Sequence, residues 1–159
     1  IDMECYHQDV VFKAKNDKSF STYKPEDIVS FGFSYQGRNY TYQRFILESK
    51  NIFSKEGNKV YRFLSLEYKG TYSLYRDVVR TNNTANGLMN NLSNLFLDYY
   101  LYQTDSGLKK LEGTDEQSLS EILENHGFQE EFIRELPPET KLKDICFVLV
   151  KYDQWLKMR

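Results

Sequence analysis

Between Ile28 and Leu47 the side chains alternate in kind from one residue to the next. Phe31, Phe33 and Tyr35 fall on one side and Gly32 and Ser34 on the other. After Gln36-Gly37-Arg38-Asn39, one side carries Tyr40, Tyr42, Arg44 and Ile46, and the other carries Thr41, Gln43, Phe45 and Leu47. A period of two marks a β-strand with one buried face, and the four residues between the runs read as a hairpin turn. A helix cannot produce this pattern, because its apolar stripe returns every three or four residues. The segment is therefore an antiparallel pair.

The rest of the first two-thirds reads the same way. Gln8 to Lys13 and Ser19 to Tyr23 are short strands around an Asn16-Asp17-Lys18 turn, and Pro25-Glu26-Asp27 turns the chain again. Val60 to Tyr68 places Val60, Leu64, Leu66 and Tyr68 on one face. Lys69-Gly70 is a two-residue turn, and Thr71 to Val79 returns with Tyr72, Leu74 and Val78 together. Asn51 to Asn58 reads as a loop, and the asparagine-rich Arg80 to Asn91 is the least regular stretch. Leu95 to Tyr102, a Thr104-Asp105-Ser106-Gly107 turn and Leu108 to Leu111 complete the strands. The composition agrees: 13 Tyr and 11 Phe bring aromatic residues to 16%, and aromatic side chains favour strands.

The period changes at Gly113. Thr114 and Gln117 have capping-box spacing ahead of a helix that carries Leu119, Ile122 and Leu123 and stops at Gly127. A second helix, Gln129 to Leu136, ends at Pro137-Pro138. A third, from about Glu139 to Lys157, carries a stripe of Leu142, Ile145, Leu149, Tyr152 and Leu156. Burying that stripe contributes roughly 7 to 15 kcal/mol as an upper bound, so the helix is expected to dock. The expected fold is α+β: an antiparallel, meander-like sheet over about residues 8–111, with a C-terminal helical segment over about 115–157 packed on it. Strands and helices share one core in a single domain, 1–159.

Several function classes are excluded. The net charge of −2 and the lack of a long basic run argue against nucleic-acid binding. The longest apolar run near the C-terminus, Ile145 to Val150, is far short of the roughly 20 residues that cross a bilayer. Cys5 and Cys146 lie near opposite ends and read as two small buried thiols; a single bridge between them would require an oxidising compartment. Cys5, His7 and Asp9 alternate on one strand face, which is too little for a metal site. His126, next to Gly127, reads as a helix-capping residue. No nucleophile elbow, phosphate loop, dinucleotide fingerprint or zinc-protease motif is present. The adjacent acidic pairs Glu26-Asp27 and Glu130-Glu131 read as a turn and a solvated helix face. No catalytic residue, metal or cofactor is expected.

The tyrosines are the remaining candidates. Tyr35, Tyr40, Tyr42, Tyr72 and Tyr75 are the residues best placed to line an aromatic binding surface. The competing reading is core and cross-strand packing. Asn39-Tyr40-Thr41, Asn82-Asn83-Thr84 and Asn91-Leu92-Ser93 match a glycosylation sequon that is common by chance.

Two stretches resemble a known pattern. Tyr23-Lys24-Pro25-Glu26-Asp27-Ile28 followed by Phe31-Gly32-Phe33, and Phe63-Leu64-Ser65-Leu66 followed by Gly70-Thr71-Tyr72-Ser73-Leu74-Tyr75, resemble motifs of uncharacterised exported proteins of Bacteroidetes-type bacteria. The resemblance covers about Val10 to Leu111 and implies a periplasmic, outer-membrane-associated or secreted location. It carries no activity and no functional residue. The expected function is that of a non-catalytic envelope protein, a protein-interaction module whose partner is another envelope protein. The alternatives are a small-ligand, glycan or lipid binder using the aromatic sheet, and a hydrolase.

Overall fold

The computed structural model describes residues 10–12, 18–49, 58–81, 94–113 and 117–159. Among them are eight strands: β1 (Val10–Phe12), β2 (Ser21–Tyr23), β3 (Ser30–Tyr35), β4 (Arg38–Ser49), β5 (Asn58–Tyr68), β6 (Ser73–Thr81), β7 (Asn94–Gln103) and β8 (Gly107–Lys110). The helices are α1 (Leu119–Glu124), α2 (Glu130–Arg134) and α3 (Ile145–Lys157), the last preceded by one 3-10 turn at Leu142–Asp144. β1 and β2 form a two-stranded sheet, and the other six follow one another in the order β3-β4-β5-β6-β7-β8. This is the antiparallel meander and α+β class expected from the alternation. Cys5, His7, Thr114 and most of the asparagine-rich stretch lie outside the described residues.

The chain divides into two compact units, residues 1–66 with 76–97, and residues 67–75 with 98–159. The first is built on the β3–β4 hairpin. Its turn is two residues, Gln36 and Gly37, at φ 49° and 76°, rather than the four read from the sequence. Positive φ at both positions is the geometry that joins twisted strands with least splay, so pairing resumes at once with Tyr35 opposite Arg38. Farther along, Tyr42 pairs with Ser65 and Leu47 with Val60. Phe63 and Leu64 are adjacent and both buried; neighbours on a strand point to opposite faces, so β5 is covered on both sides there. Arg62 Nη1 donates to the buried Asp77 carboxylate at 2.8 Å.

The second unit holds the helical core. Tyr72, Leu74, Leu101 and Leu111 from the strands pack with Leu119, Ile122 and Leu123 of α1, Phe132 and Ile133 of α2, and Ile145, Val148, Leu149, Tyr152 and Trp155 of α3. The stripe on α3 docks on the sheet, with Leu142 and Leu156 packed at its margins. Three of the boundaries that differ from expectation each trace to a hydrogen bond. α1 begins at Leu119 because Ser118 caps it, its hydroxyl accepting from Ser120 N–H at 3.3 Å. α3 begins at Ile145 because the Asp144 carboxylate accepts from Lys141 N–H at 3.1 Å and closes a separate turn. β6 begins at Ser73 because Thr71 N–H turns toward the Asp153 carboxylate instead of the ladder.

No helix among the described residues is long and apolar enough to cross a membrane. Cys146 is exposed, contrary to the expectation of a buried thiol. It follows Ile145 on α3, and one step along a helix turns a side chain out of the buried stripe.

Candidate functional site

The hairpin of the first unit brings five rings together. The two-residue turn sets Phe33 opposite Tyr40 and Phe31 opposite Tyr42. Phe33 stacks on Tyr40 at 5.2 Å and on Tyr42 at 6.0 Å, Phe31 stacks on Tyr42 at 4.9 Å, and Phe31 meets Phe63 edge-on at 5.0 Å. Offset stacks and edge contacts at these separations are the favoured aromatic geometries. The ladder is anchored at Tyr42 and Phe63, which are buried, while Phe31, Phe33 and Tyr40 are half-buried.

Beyond the rings on the same face, Arg44 ties the sheet to the Pro25–Asp27 turn. Its Nη1 donates to Pro25 O at 3.1 Å and Glu26 O at 2.6 Å, and its guanidinium lies 5.1 Å from the Tyr61 ring centre. The turn is closed by Asp27 N–H donating to Lys24 O and by Lys24 N–H donating to the Asp27 carboxylate. The Pro-Glu-Asp segment singled out in the sequence is thus an Arg44 anchor.

β3 is the first strand of its sheet. Its sequence, Ser-Phe-Gly-Phe-Ser-Tyr, has no charge and no proline. Antiparallel pairs alternate between residues that bond their neighbour and residues that face away. Arg44 N–H donates to Val29 O at 2.8 Å, so the odd-numbered residues bond β4. The N–H and C=O groups of Ser30, Gly32 and Ser34 therefore point outward. At the ends of the strand, Val29 is 63% exposed and Tyr35 is 48% exposed.

The five tyrosines expected to line a surface do not form one group. Tyr40 and Tyr42 belong to the ladder, and Tyr35 stands at its exposed end. Tyr72 and Tyr75 belong to the second unit, where both are buried. Tyr72 stacks on Phe128 at 4.4 Å, and its hydroxyl lies 3.2 Å from both His126 O and Gly127 O. Burial, then Tyr152, pushes its pKa up. Tyr75 meets Tyr102 edge-on at 6.5 Å, and burial, then Tyr102, raises its pKa. Phe31, Phe33 and Phe63 complete the ladder and were not among the candidates. For Phe31 and Phe33 the signal was the turn length, since a two-residue loop places each opposite a tyrosine, whereas Phe63 comes from β5, opposite Arg44.

Other features of the second unit bear on chemistry. His126 lies in the turn after α1, its amide donating to Leu123 O at 2.9 Å. Burial, then Lys109, lowers the imidazole pKa against an opposing pull from Glu112. A cleft of about 380 Å³ is lined by Phe128 and Ile133 with Glu124, Glu130 and Arg134, the last two paired at 3.0 Å. No tyrosine lines it. No group of three His, Cys, Asp or Glu side chains among the described residues is arranged to hold a metal ion.

Compared with protein-family models, curated proteins and solved structures, the chain matches none.

Proposed function

We propose that this chain works by binding rather than catalysis, as a protein-interaction module of the cell envelope whose contact surface is the β3 edge with the aromatic ladder behind it. One observation carries the reading. β3 is an uncharged edge strand with outward backbone groups at Ser30, Gly32 and Ser34 and exposed apolar residues at both ends. Edge strands in natural proteins are commonly blunted by lysine, proline, bulges or extreme shortness, because an open edge is a template for another strand. An edge without these devices suits the addition of an extended segment, with main-chain hydrogen bonds supplying affinity and alternate side-chain contacts supplying selectivity. The half-buried rings of the ladder supply the side-chain contacts on one face.

The test is a selection of extended peptides displayed on phage against the immobilised chain. Strand-forming peptides are expected to be retained and then lost on the Ser30→Pro variant. Proline at the first residue of an edge strand removes an outward donor while leaving the pairing to β4 intact. The variant should melt at the parent temperature. A selection that returns no edge-dependent peptide overturns the reading. The envelope location is tested separately by fractionating cells that express the full-length product.

A further inference from the structure

Resting on the reading of β3 as a contact edge, we propose that the strand it accepts is β3 of a second copy of this chain, paired antiparallel across a two-fold axis at Gly32. The outward groups dictate the register. Only Ser30, Gly32 and Ser34 direct N–H and C=O away from β4, so cross-edge bonds must join these residues to one another. Centring on Gly32 uses all of them: Ser30 meets Ser34 of the second copy, Gly32 meets Gly32, and Ser34 meets Ser30. A shift by two residues in either direction pairs one serine with a residue outside the strand.

The side chains agree with that register. Phe31 falls opposite Phe33 of the second copy, which continues the ring ladder of each hairpin into the other. Val29 falls opposite Tyr35, a β-branched residue against an aromatic one, among the favoured cross-strand pairs. These are the two apolar residues at the ends of β3 that the fold leaves most open, and the pairing covers both. The strand has no charge to repel its own copy. An isologous contact requires a surface complementary to itself under a two-fold, and this strand meets that condition in hydrogen bonding, packing and charge. The paired edge is short, so the dimer should be concentration-dependent rather than obligate.

The experiment is sedimentation velocity of the full chain over rising concentration, in reductant so that Cys146 cannot link copies, with amide exchange measured alongside. The expected result is a monomer that doubles in mass as concentration rises, with the Ser30, Gly32 and Ser34 amides gaining protection in the dimer. Ser30→Pro should weaken association by at least about tenfold without moving the melting temperature. Val29→Lys, at an exposed side chain, should do the same without touching the backbone. A dimer indifferent to both variants overturns the proposal, because the contact then lies elsewhere. A chain that stays monomeric while displayed peptides still bind its edge overturns the second copy alone. A monomer with no edge-dependent peptide overturns this inference and the reading beneath it together.

Discussion

At one end of the six-stranded order stands β3, six residues without a charge, and at the other stands β8, four residues ending in Lys109 and Lys110. β8 carries two of the devices that discourage further pairing: it is short, and it places exposed lysines at the margin. Lys110 is held there by the Asp98 carboxylate at 2.6 Å. β3 has neither device. The units that contain these edges differ in the same sense. Around β7 and β8, three helices bury a continuous aromatic and aliphatic core in which Phe132, Tyr152 and Trp155 lie within 6.0 Å of one another, centre to centre. Around β3 and β4, the rings stack on each other and stay partly open. A defended edge thus stands in the unit with the closed core, and an undefended edge in the unit with the partly open ladder.

The sharpest way to break that comparison is Leu149→Asp. Leu149 is 1% exposed in the helical core, and a buried unpaired charge there should cost at least about 4 kcal/mol. The single tryptophan, Trp155, sits in the same core, so its fluorescence should shift to that of an exposed indole. A parent-like Trp155 spectrum and melting temperature would show that the second unit does not depend on this packing.

Tyr42→Ala and Tyr40→Ala sharpen the comparison within the ladder. Tyr42 is 3% exposed, so its truncation should cost about 3 kcal/mol or more. The half-buried Tyr40 should cost about 1 kcal/mol, since less apolar surface leaves water. Equal losses in thermal melts would mean that both rings are core and that the ladder offers no open face.

Gly70→Ala tests the closure of the second unit at the β5–β6 connection. A Cβ at Gly70 would run into the Asp153 carboxylate and meet the Tyr68 ring at 2.7 Å. The expected loss is about 1 to 3 kcal/mol by chemical denaturation, and an unchanged midpoint would contradict this close approach.

Tyr68→Phe has a smaller effect, about 1 kcal/mol for one hydrogen bond, but a distinctive pH signature. Tyr68 Oη donates to Asp153 Oδ2 at 2.6 Å. That bond, followed by burial, pushes the Tyr68 pKa up to about 12. Burial alone would raise the Asp153 pKa, but the bonds from Tyr68 and Thr71, with Lys157 nearby, outweigh it and hold the carboxyl below its ordinary value. The lowered Asp153 pKa contributes stability above the unfolded carboxyl's pKa, lost as pH falls through the folded one. The raised Tyr68 pKa contributes stability below the unfolded phenol's pKa, lost as pH rises toward about 12. The stability gap between parent and Tyr68→Phe should therefore be widest between these limits and shrink in both acid and alkali. A gap independent of pH would show that the hydroxyl does not bind the carboxylate.

The residues themselves determined the type and order of the elements. Alternation through Phe31, Phe33, Tyr40 and Tyr42 required strands, and the spacing of Ile145, Leu149 and Tyr152 required a docked helix, because both patterns follow from backbone geometry alone. The boundaries at Ser73, Leu119 and Ile145 were not legible, since each is set by one hydrogen bond, and the first depends on Asp153, some eighty residues away from the strand it shortens. The candidate site was legible in part. Tyr35, Tyr40 and Tyr42 were named from their shared face, yet Tyr72 and Tyr75 have the same alternation and are buried. Period two shows that neighbours face opposite ways, but it does not say which face another element will cover. Only the tertiary structure decided that, by placing helices over Tyr72 and by leaving β3 at the edge of its sheet, since coverage depends on parts of the chain that no local pattern reaches.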